Sequence, residues 1–262
     1  MNGEGRLLAA AALRPVDATP VWFMRQAGGS LPRYVALRER WSVEEIARTP
    51  ELCAEVSLMP VDAYEVDGAV LFADILLPIA AMGVDLALTS AGPVIASPIR
   101  SVEDVATLRT IDPQADLAFV MEAIAMVRAG LSGRAAVIGV CGGPFTLAAY
   151  LIEGGPSRDQ GMTRAFMYRE PAAWDALMSH LTDALCAYVS AQVEAGAQVI
   201  QVFDSWVGSL GPGEYVRHAG PYSARVLAAA GDVPTVHFGV RTAGILESMA
   251  AAGGSVIGVD ST

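Results

Sequence analysis

The sequence contains no lysine, since all 17 of its basic residues are arginine among 262 residues. A chain without a lysine amine cannot form a Schiff base with a carbonyl substrate or use lysine as a nucleophile. Both kinds of chemistry are therefore excluded. The absence itself is more typical of a genomic codon bias than of a functional choice.

Cysteine and histidine are scarce, with three residues of each. Cys53, Cys141 and Cys186 lie far apart, so no two of them have metal-site spacing, and we expect reduced structural thiols. The histidines show no His-x-Glu-x-x-His pattern or related ligand spacing. The sequence therefore contains no recognisable metal-binding motif.

Charged residues are also few, at 17%, whereas hydrophobic residues make up 53%, which is typical of a globular protein. The net charge of −11 disfavours binding to nucleic acid. No apolar run approaches the roughly 18 residues of a membrane span, and the first residues do not have the pattern of a signal peptide. We therefore expect a cytoplasmic enzyme that binds neither nucleic acid nor membrane.

Apolar, strand-like runs alternate with longer amphipathic segments, which predicts an α/β fold with a parallel sheet. The spacing favours a (β/α) barrel over a doubly wound sheet, and no G-x-G-x-x-G motif supports dinucleotide binding. The predicted strands are Ala69–Ala73, Ala136–Val140, Val199–Phe203, Thr235–Phe238 and Val256–Val259. The predicted helices are Pro50–Tyr64 (interrupted at Pro60), Ala115–Ala129, Ala172–Ala195, Gly213–Ala230 and Ala243–Ala252.

These elements are too few for a closed barrel, which has eight strands in typically ~250 residues. Only five strands are predicted, and the first begins as late as Ala69. We therefore predict a single domain over residues 1–262, an incomplete TIM-type (β/α)8 barrel in which the C-terminal strands are missing.

The most informative segment covers residues 20–34. An apolar lead-in is followed by Arg25, Gln26 and the pair Gly28 and Gly29. Glycines allow unusual backbone angles and a close approach to a ligand, and Arg25 presents a cationic fork suited to carboxylates or phosphates. The alternative is a strand end followed by a glycine turn and a surface arginine.

Polar residues follow three predicted strands, at the edge where barrel active sites gather. Asp74 closes the apolar run Val70-Leu-Phe-Ala-Asp-Ile75 and shares a strand face with Phe72, since side chains alternate along a strand. An acid in this position is a candidate functional carboxylate. The alternative is that it caps the following helix.

Tyr150 follows a turn at residues 142–144 and lies about one helical turn beyond Phe145 and Thr146, from where its hydroxyl can reach a ligand carboxylate. The alternative is a buried tyrosine satisfied by the backbone.

Ser205 ends the third run, Val199-Ile-Gln-Val-Phe-Asp-Ser-Trp206, with Phe203 on the same face and Asp204 on the other. No histidine adjoins it and no G-x-S-x-G motif is present, so it is expected to donate hydrogen bonds rather than act as a nucleophile. The alternative is a Ser–Asp capping pair. His237 is interpreted as a satisfied core histidine.

Together these segments resemble the uroporphyrinogen decarboxylase family. Residues 20–32 are similar to the family's P-V-W-F-M-R-Q-A-G signature, and residues 71–76 to its strand-end acid motif. Residues 142–154 and 196–206 are similar to the next two blocks, in the same order. The resemblance covers essentially the whole chain.

The resemblance implies a (β/α)8 barrel, usually a homodimer, that needs no metal or organic cofactor. Such an enzyme removes CO2 from the four acetate side chains of uroporphyrinogen and gives coproporphyrinogen. It implies that Asp74 accepts hydrogen bonds from pyrrole N–H groups and stabilises a cationic ring, and that Arg25 clamps a carboxylate or serves in proton delivery. Phe203 would line the apolar floor. The implied substrate-binding residues are Arg25, Gln26, Ala27, Gly28, Gly29, Asp74, Tyr150 and Ser205.

Two departures from the family pattern lower the expected activity. Gly29 stands where the signature has a second arginine, and Ser261 follows Asp260 where the family continues with tryptophan and further strands. We expect a barrel that does not close and a poorly active chain.

One alternative function is a corrinoid-linked methyltransferase of the same superfamily, whose zinc-binding His-x-Cys pair does not occur in this sequence. The other is a non-catalytic remnant that binds porphyrinogens.

Overall fold

The computed structural model describes residues 1–89 and 92–261, which form an α/β structure with one parallel sheet and one hairpin. The strands are β1 Gly68–Val70, β2 Leu86–Thr89, β3 Gly92–Ile95, β4 Ala136–Gly142, β5 Val199–Phe203, β6 Thr235–Phe238 and β7 Val256–Gly258. The helices are α1 Gly3–Ala11, α2 Pro32–Arg38, α3 Val43–Arg48, α4 Pro50–Tyr64, α5 Leu77–Ala81, α6 Val102–Val105, α7 Pro113–Asp116, α8 Ala118–Leu131, α9 Pro144–Glu153, α10 Gly161–Arg169, α11 Pro171–Glu194, α12 Pro212–His218, α13 Gly220–Ala228 and α14 Leu246–Ala251, with 3₁₀ helices at Arg25–Ser30 and Val207–Ser209.

The main sheet has the strand order β1-β4-β5-β6-β7, and every pairing in it is parallel. Helices connect consecutive strands, so the chain repeats the β-α-β unit that the alternating pattern predicts. Strands β4 and β5 are buried along their whole length, which explains why their residues, apart from Gln201, are apolar or small rather than alternating with polar ones. All five predicted strands are present, and β5 and β6 have the predicted bounds.

Three helix predictions are wrong in detail. The segment predicted as one helix over Ala115–Ala129 is broken at Leu117, between α7 and α8. Helix α4 continues through Pro60, although proline removes a backbone hydrogen bond, because Met59 and Val61 on either side are anchored in the core. The segment predicted as one helix over residues 213–230 is two helices that break at Ala219. Pro221 lies in the first turn of α13, where a missing N–H costs nothing, so it favours a new helix start. The hairpin of β2 and β3 was not predicted.

The segment that precedes Arg25 lies beside β1. Trp22 forms a parallel bridge with Gly68, and the Asp67 amide donates to the Val21 carbonyl at 2.6 Å. The buried Asp67 carboxylate accepts from the Val21 amide at 2.7 Å and from Nη1 of Arg6 at 2.5 Å. Asp67 therefore ties the N-terminal segment to the sheet and fixes where the following loop begins.

Replacing Asp67 with asparagine is expected to lower the free energy of unfolding by about 2 kcal/mol, because an amide cannot accept from both Val21 and Arg6 in this buried position. Urea denaturation measures the loss. Asp17→Asn is the matched control, since Asp17 pairs with the same arginine but is exposed, and its loss should be clearly smaller. Equal losses of unfolding free energy in the two variants would show that the buried Asp67 contributes no more to stability than the exposed Asp17.

Candidate active site

A cavity of about 320 Å³ opens at the C-terminal ends of β1, β4 and β5. Asp74, Tyr150 and Ser205 supply its polar side chains. The rest of the lining is mainly apolar, with Met24, Val70, Leu71, Ala73, Ile75, Leu76, Pro93, Val140 and Phe203. The structure therefore brings together three residues that are separated by up to 131 positions (205 − 74) in the sequence.

Asp74 is half-buried in this cavity. Its Oδ1 accepts from the Leu76 amide at 3.0 Å, and its backbone carbonyl accepts from the Leu77 amide at 3.3 Å. This Asx turn fixes the carboxylate orientation before α5 begins. The alternative prediction of a helix cap is wrong, because the N-cap residue of α5 is Leu76.

The predicted pairing of Phe72 with Asp74 on one strand face is also wrong. Strand β1 ends at Val70, and the Phe72 amide and carbonyl bond Ser57 Oγ and Cys53 Sγ of α4 instead of a neighbouring strand. The Phe72 ring packs against Tyr34 at a centroid distance of 5.8 Å. The regular alternation of side chains stops where the ladder stops, and only Asp74 of this pair lines the cavity.

Tyr150 projects from α9, which begins with Pro144 in its first turn and is followed by the C-cap residue Gly154 in the left-handed region. Burial raises the pKa of the Tyr150 hydroxyl, and the nearby Asp74 carboxylate raises it further. The phenol therefore stays protonated and serves as a hydrogen-bond donor. Its ring stacks on Trp206 at a centroid distance of 4.0 Å, a contact that the sequence did not predict.

Phe203 and Ser205 face the cavity, and Asp204 points away from it and is fully buried, as the alternation along β5 predicts. Phe203 packs edge-on against Phe238 with a centroid distance of 6.1 Å. The backbone oxygen of Ser205 accepts from Val240 at 3.4 Å. Ser205 and Phe203 both form part of the cavity wall.

The loop after Met24 forms a 3₁₀ helix over Arg25–Ser30. The side chains of Arg25, Gln26 and Ala27 lie outside the described part of the structure, so their predicted roles stay predictions. Neither Gly28 nor Gly29 adopts the left-handed backbone region, so the loop does not use the unusual backbone angles that glycine allows. A Cβ added at Gly29 would meet no atom within 4 Å.

Cys141 and His237 are both buried in the core. Burial raises the pKa of the Cys141 thiol far above its usual range, which leaves it unreactive. His237 is fully buried, as predicted, but neither ring nitrogen makes a hydrogen bond to the described residues. Its Nε2 lies 3.5 Å from Asp204 Oδ2.

Pro93 and Met24 also line the cavity, although sequence reasoning did not select them. Pro93 belongs to strand β3, and it was not selected because the hairpin of β2 and β3 was not predicted. Met24 could have been identified from its position in the sequence, directly before Arg25.

Sequence comparisons with known proteins agree on one family. The family model described as uroporphyrinogen decarboxylase (URO-D) matches residues 2–262. A uroporphyrinogen decarboxylase of Roseiflexus is 49% identical over 265 residues, covering 98% of this chain and 76% of the relative. The Thermus thermophilus protein of that name is 50% identical over 258 residues, covering 97% and 75%. The Mycobacterium tuberculosis protein of that name is 48% identical over 264 residues, covering 97% and 73%.

Among solved structures, a methyltransferase from Methanosarcina mazei has a TM-score of 0.78 and covers 98% of this chain and 75% of its own. At 22% sequence identity, this likeness establishes a common fold and says nothing about activity. The fold is thus the α/β barrel architecture that the sequence predicted, with five parallel strands in the described part.

Proposed function

This chain belongs to the uroporphyrinogen decarboxylase family, and from that premise we propose that it converts the acetate side chains of uroporphyrinogen to methyl groups, giving coproporphyrinogen. The observation that carries the proposal is the Asp74 carboxylate, which is held by an Asx turn in a cavity at the strand ends whose lining residues are mostly apolar. The methyltransferase alternative loses its support, because that likeness is confined to the fold.

The chemistry needs an acceptor for the electron pair of the broken bond. Protonation of the pyrrole carbon next to the one that carries the acetate makes the ring cationic and places positive charge on the acetate-bearing carbon. The bond between the methylene and the carboxylate then breaks, CO2 leaves, and the electron pair neutralises the ring as an exocyclic double bond. A proton adds to the methylene to form the methyl group, and loss of the ring proton restores the pyrrole. The net change replaces CO2 with one proton, so no oxidant or reductant is consumed.

Asp74 supplies the negative charge that this cationic ring requires. A carboxylate that is already oriented stabilises developing positive charge without reorganisation, and an apolar surrounding strengthens the interaction. We assign to Asp74 the hydrogen bonds from pyrrole N–H groups as well. Arg25 would clamp a substrate carboxylate or deliver the proton, because a guanidinium matches carboxylate geometry.

Tyr150 and Ser205 would donate hydrogen bonds to substrate carboxylates. A polyanionic substrate raises the local negative charge, so neutral donors bind its acid groups without the repulsion that a second carboxylate would add. Phe203 would support the apolar face of the pyrrole. Gly28 and Gly29 would contact the substrate through the backbone, and the open space at Gly29 would admit a substrate side chain. The reaction would need no metal or organic cofactor.

Replacing Tyr150 with phenylalanine is expected to lower kcat/KM about 10- to 100-fold, the typical cost of one hydrogen bond to a charged group. Because the pKa of Tyr150 is raised, its hydroxyl stays protonated up to and above the ordinary tyrosine value of about 10. The wild type and the variant should therefore show profiles of the same shape between pH 6 and pH 9. A basic limb that disappears in Tyr150→Phe would contradict this assignment.

The function is tested by anaerobic incubation of the purified chain with uroporphyrinogen at stoichiometric enzyme, followed by chromatography of the oxidised porphyrins. We expect products with seven, six, five and four carboxyl groups. Tight binding of porphyrinogen without any loss of carboxyl groups would instead support the non-catalytic alternative and overturn the proposal.

We further propose a single domain over residues 1–262 that acts as a cytoplasmic homodimer, the form that the family resemblance implies. Among the described residues no helix is both long and apolar enough to span a membrane. Light scattering of the purified chain measures the mass directly, and a monomer at micromolar concentration would contradict the dimer.

A further inference from the structure

Asp204 is a buried carboxylate for which the proposed chemistry has no use. It is fully buried behind the cavity wall, on the side of β5 that faces the helices. Its Oδ1 accepts from Thr146 Oγ1 at 3.0 Å, and its Oδ2 accepts from Ser223 Oγ at 2.9 Å. Burial of a carboxylate is costly unless its oxygens are hydrogen-bonded, so Asp204 depends on these two hydroxyl donors.

The surrounding backbone is shaped around this carboxylate. A Cβ added at Gly143 would collide with the Asp204 carboxyl group, so only glycine admits the side chain there. The Gly143 amide donates to the Phe203 carbonyl at 2.8 Å, and the Asp204 amide donates to the Phe238 carbonyl at 2.8 Å. Asp204 is therefore held tightly at the junction of three consecutive strand ends.

Thr146 connects this carboxylate to the next turn of the chain. Its hydroxyl donates to Asp204 and accepts from the Trp206 amide at 3.2 Å. A hydroxyl can do both at once, which a carboxylate or an amide hydrogen alone cannot. The hydroxyl thus ties helix α9 to the residue that directly follows Ser205.

Thr146 joins helix α9 to the turn at residues 204–206, and each of these two segments carries a residue that lines the cavity. Tyr150 lies one helical turn after Thr146 on α9, and Ser205 lies between Asp204 and Trp206. The Trp206 ring stacks on the Tyr150 ring at 4.0 Å with an angle of 30° between the planes. A shift of α9 relative to the Ser205 turn would therefore move the Tyr150 and Ser205 hydroxyls apart.

We propose that Thr146 and Asp204 are positioning residues that hold the Tyr150 and Ser205 hydroxyls at the spacing that the substrate's acid groups require. The kinetic part of this inference rests on the proposed function, whereas the structural part does not. The two residues act through Tyr150 and Ser205 and do not themselves line the cavity.

The kinetic test compares Thr146→Val with Thr146→Ser and with Ser223→Ala. Valine keeps the shape and removes the hydroxyl, and serine restores it. Ser223→Ala is the matched control, because it removes a hydrogen bond to the same carboxylate on the side away from Tyr150. We expect Thr146→Val to lower kcat/KM about three- to tenfold, Thr146→Ser to recover it within about twofold, and Ser223→Ala to leave it unchanged.

A second measurement needs no turnover. The stacked Tyr150 and Trp206 rings should give a near-ultraviolet circular dichroism band that Trp206→Phe removes. Thr146→Val should weaken this band, and Ser223→Ala should preserve it. Should Thr146→Val fail to fold, Thr146→Cys takes its place with the same expectation, since a thiol is a weak donor and acceptor.

The proposal is overturned if Thr146→Val and Ser223→Ala change kcat/KM and the band equally, or if Thr146→Ser restores neither. A wild-type chain without turnover would contradict only the proposed function. The circular dichroism band would then be the test of whether Thr146 and Asp204 position Tyr150 and Ser205.

Discussion

Asp74→Asn will lower kcat for uroporphyrinogen decarboxylation by about 10²- to 10³-fold, the loss that follows when one oriented group that stabilises developing charge is removed. Asparagine keeps the size and the hydrogen bond from the Leu76 amide but carries no charge to balance the cationic pyrrole. Because the charge matters in the transition state, the effect should fall on kcat and much less on KM.

The control for this variant is Asp232→Asn. Asp232 is exposed and precedes β6, at the opposite end of the strands from the cavity, and its replacement changes the net charge by the same amount. Stopped-flow or quenched incubations with chromatographic readout measure both variants. Comparable kcat values for Asp74→Asn and the wild type would rule out electrostatic stabilisation by this carboxylate.

Gly29→Arg is expected to raise kcat/KM by about 10- to 100-fold, because it restores a cation where the family signature has one. A charge-assisted hydrogen bond to a carboxylate contributes about 1.5–3 kcal/mol, which corresponds to this range. The substitution should fit without rearrangement, since a Cβ at this position meets no atom within 4 Å and the backbone is not in the left-handed region.

Gly29→Met is the matched control, with a side chain that is unbranched but uncharged. It should leave kcat/KM near the wild-type value. The gain from Gly29→Arg should shrink as ionic strength rises, because salt screens exposed charges. An equal gain from methionine would assign the effect to helix propensity or packing and not to carboxylate binding.

The sheet could be predicted well from the sequence because its strands β4 and β5 are buried along their whole length. Val199–Phe203 and Thr235–Phe238 are short apolar runs bounded by turns, and the structure gives them the predicted bounds. The first strand was predicted too long, since Ser57 and Cys53 of α4 bond the Phe72 backbone in place of a neighbouring strand. Such a long-range side-chain contact leaves no periodic trace in the sequence.

The cavity was partly predictable for a different reason. Parallel strands bring their C-terminal ends to one edge, so the positions of Asp74, Tyr150 and Ser205 after three apolar runs are enough to predict that they lie near each other. The link from Asp204 through Thr146 to the Trp206 amide could not be predicted, because it depends on a hydroxyl that joins a helix to a turn 60 residues later. Supporting contacts of this kind become visible only in three dimensions.

The most direct test of the central claim uses uroporphyrinogen with ¹³C in the acetate carboxyl groups, incubated anaerobically with the chain while ¹³CO2 is measured by mass spectrometry. We predict ¹³CO2 release that Asp74→Asn reduces by about 10²-fold or more. Substrate labelled in the propionate carboxyl groups should release none. Acetate-derived ¹³CO2 that forms equally fast with Asp74→Asn would contradict the account.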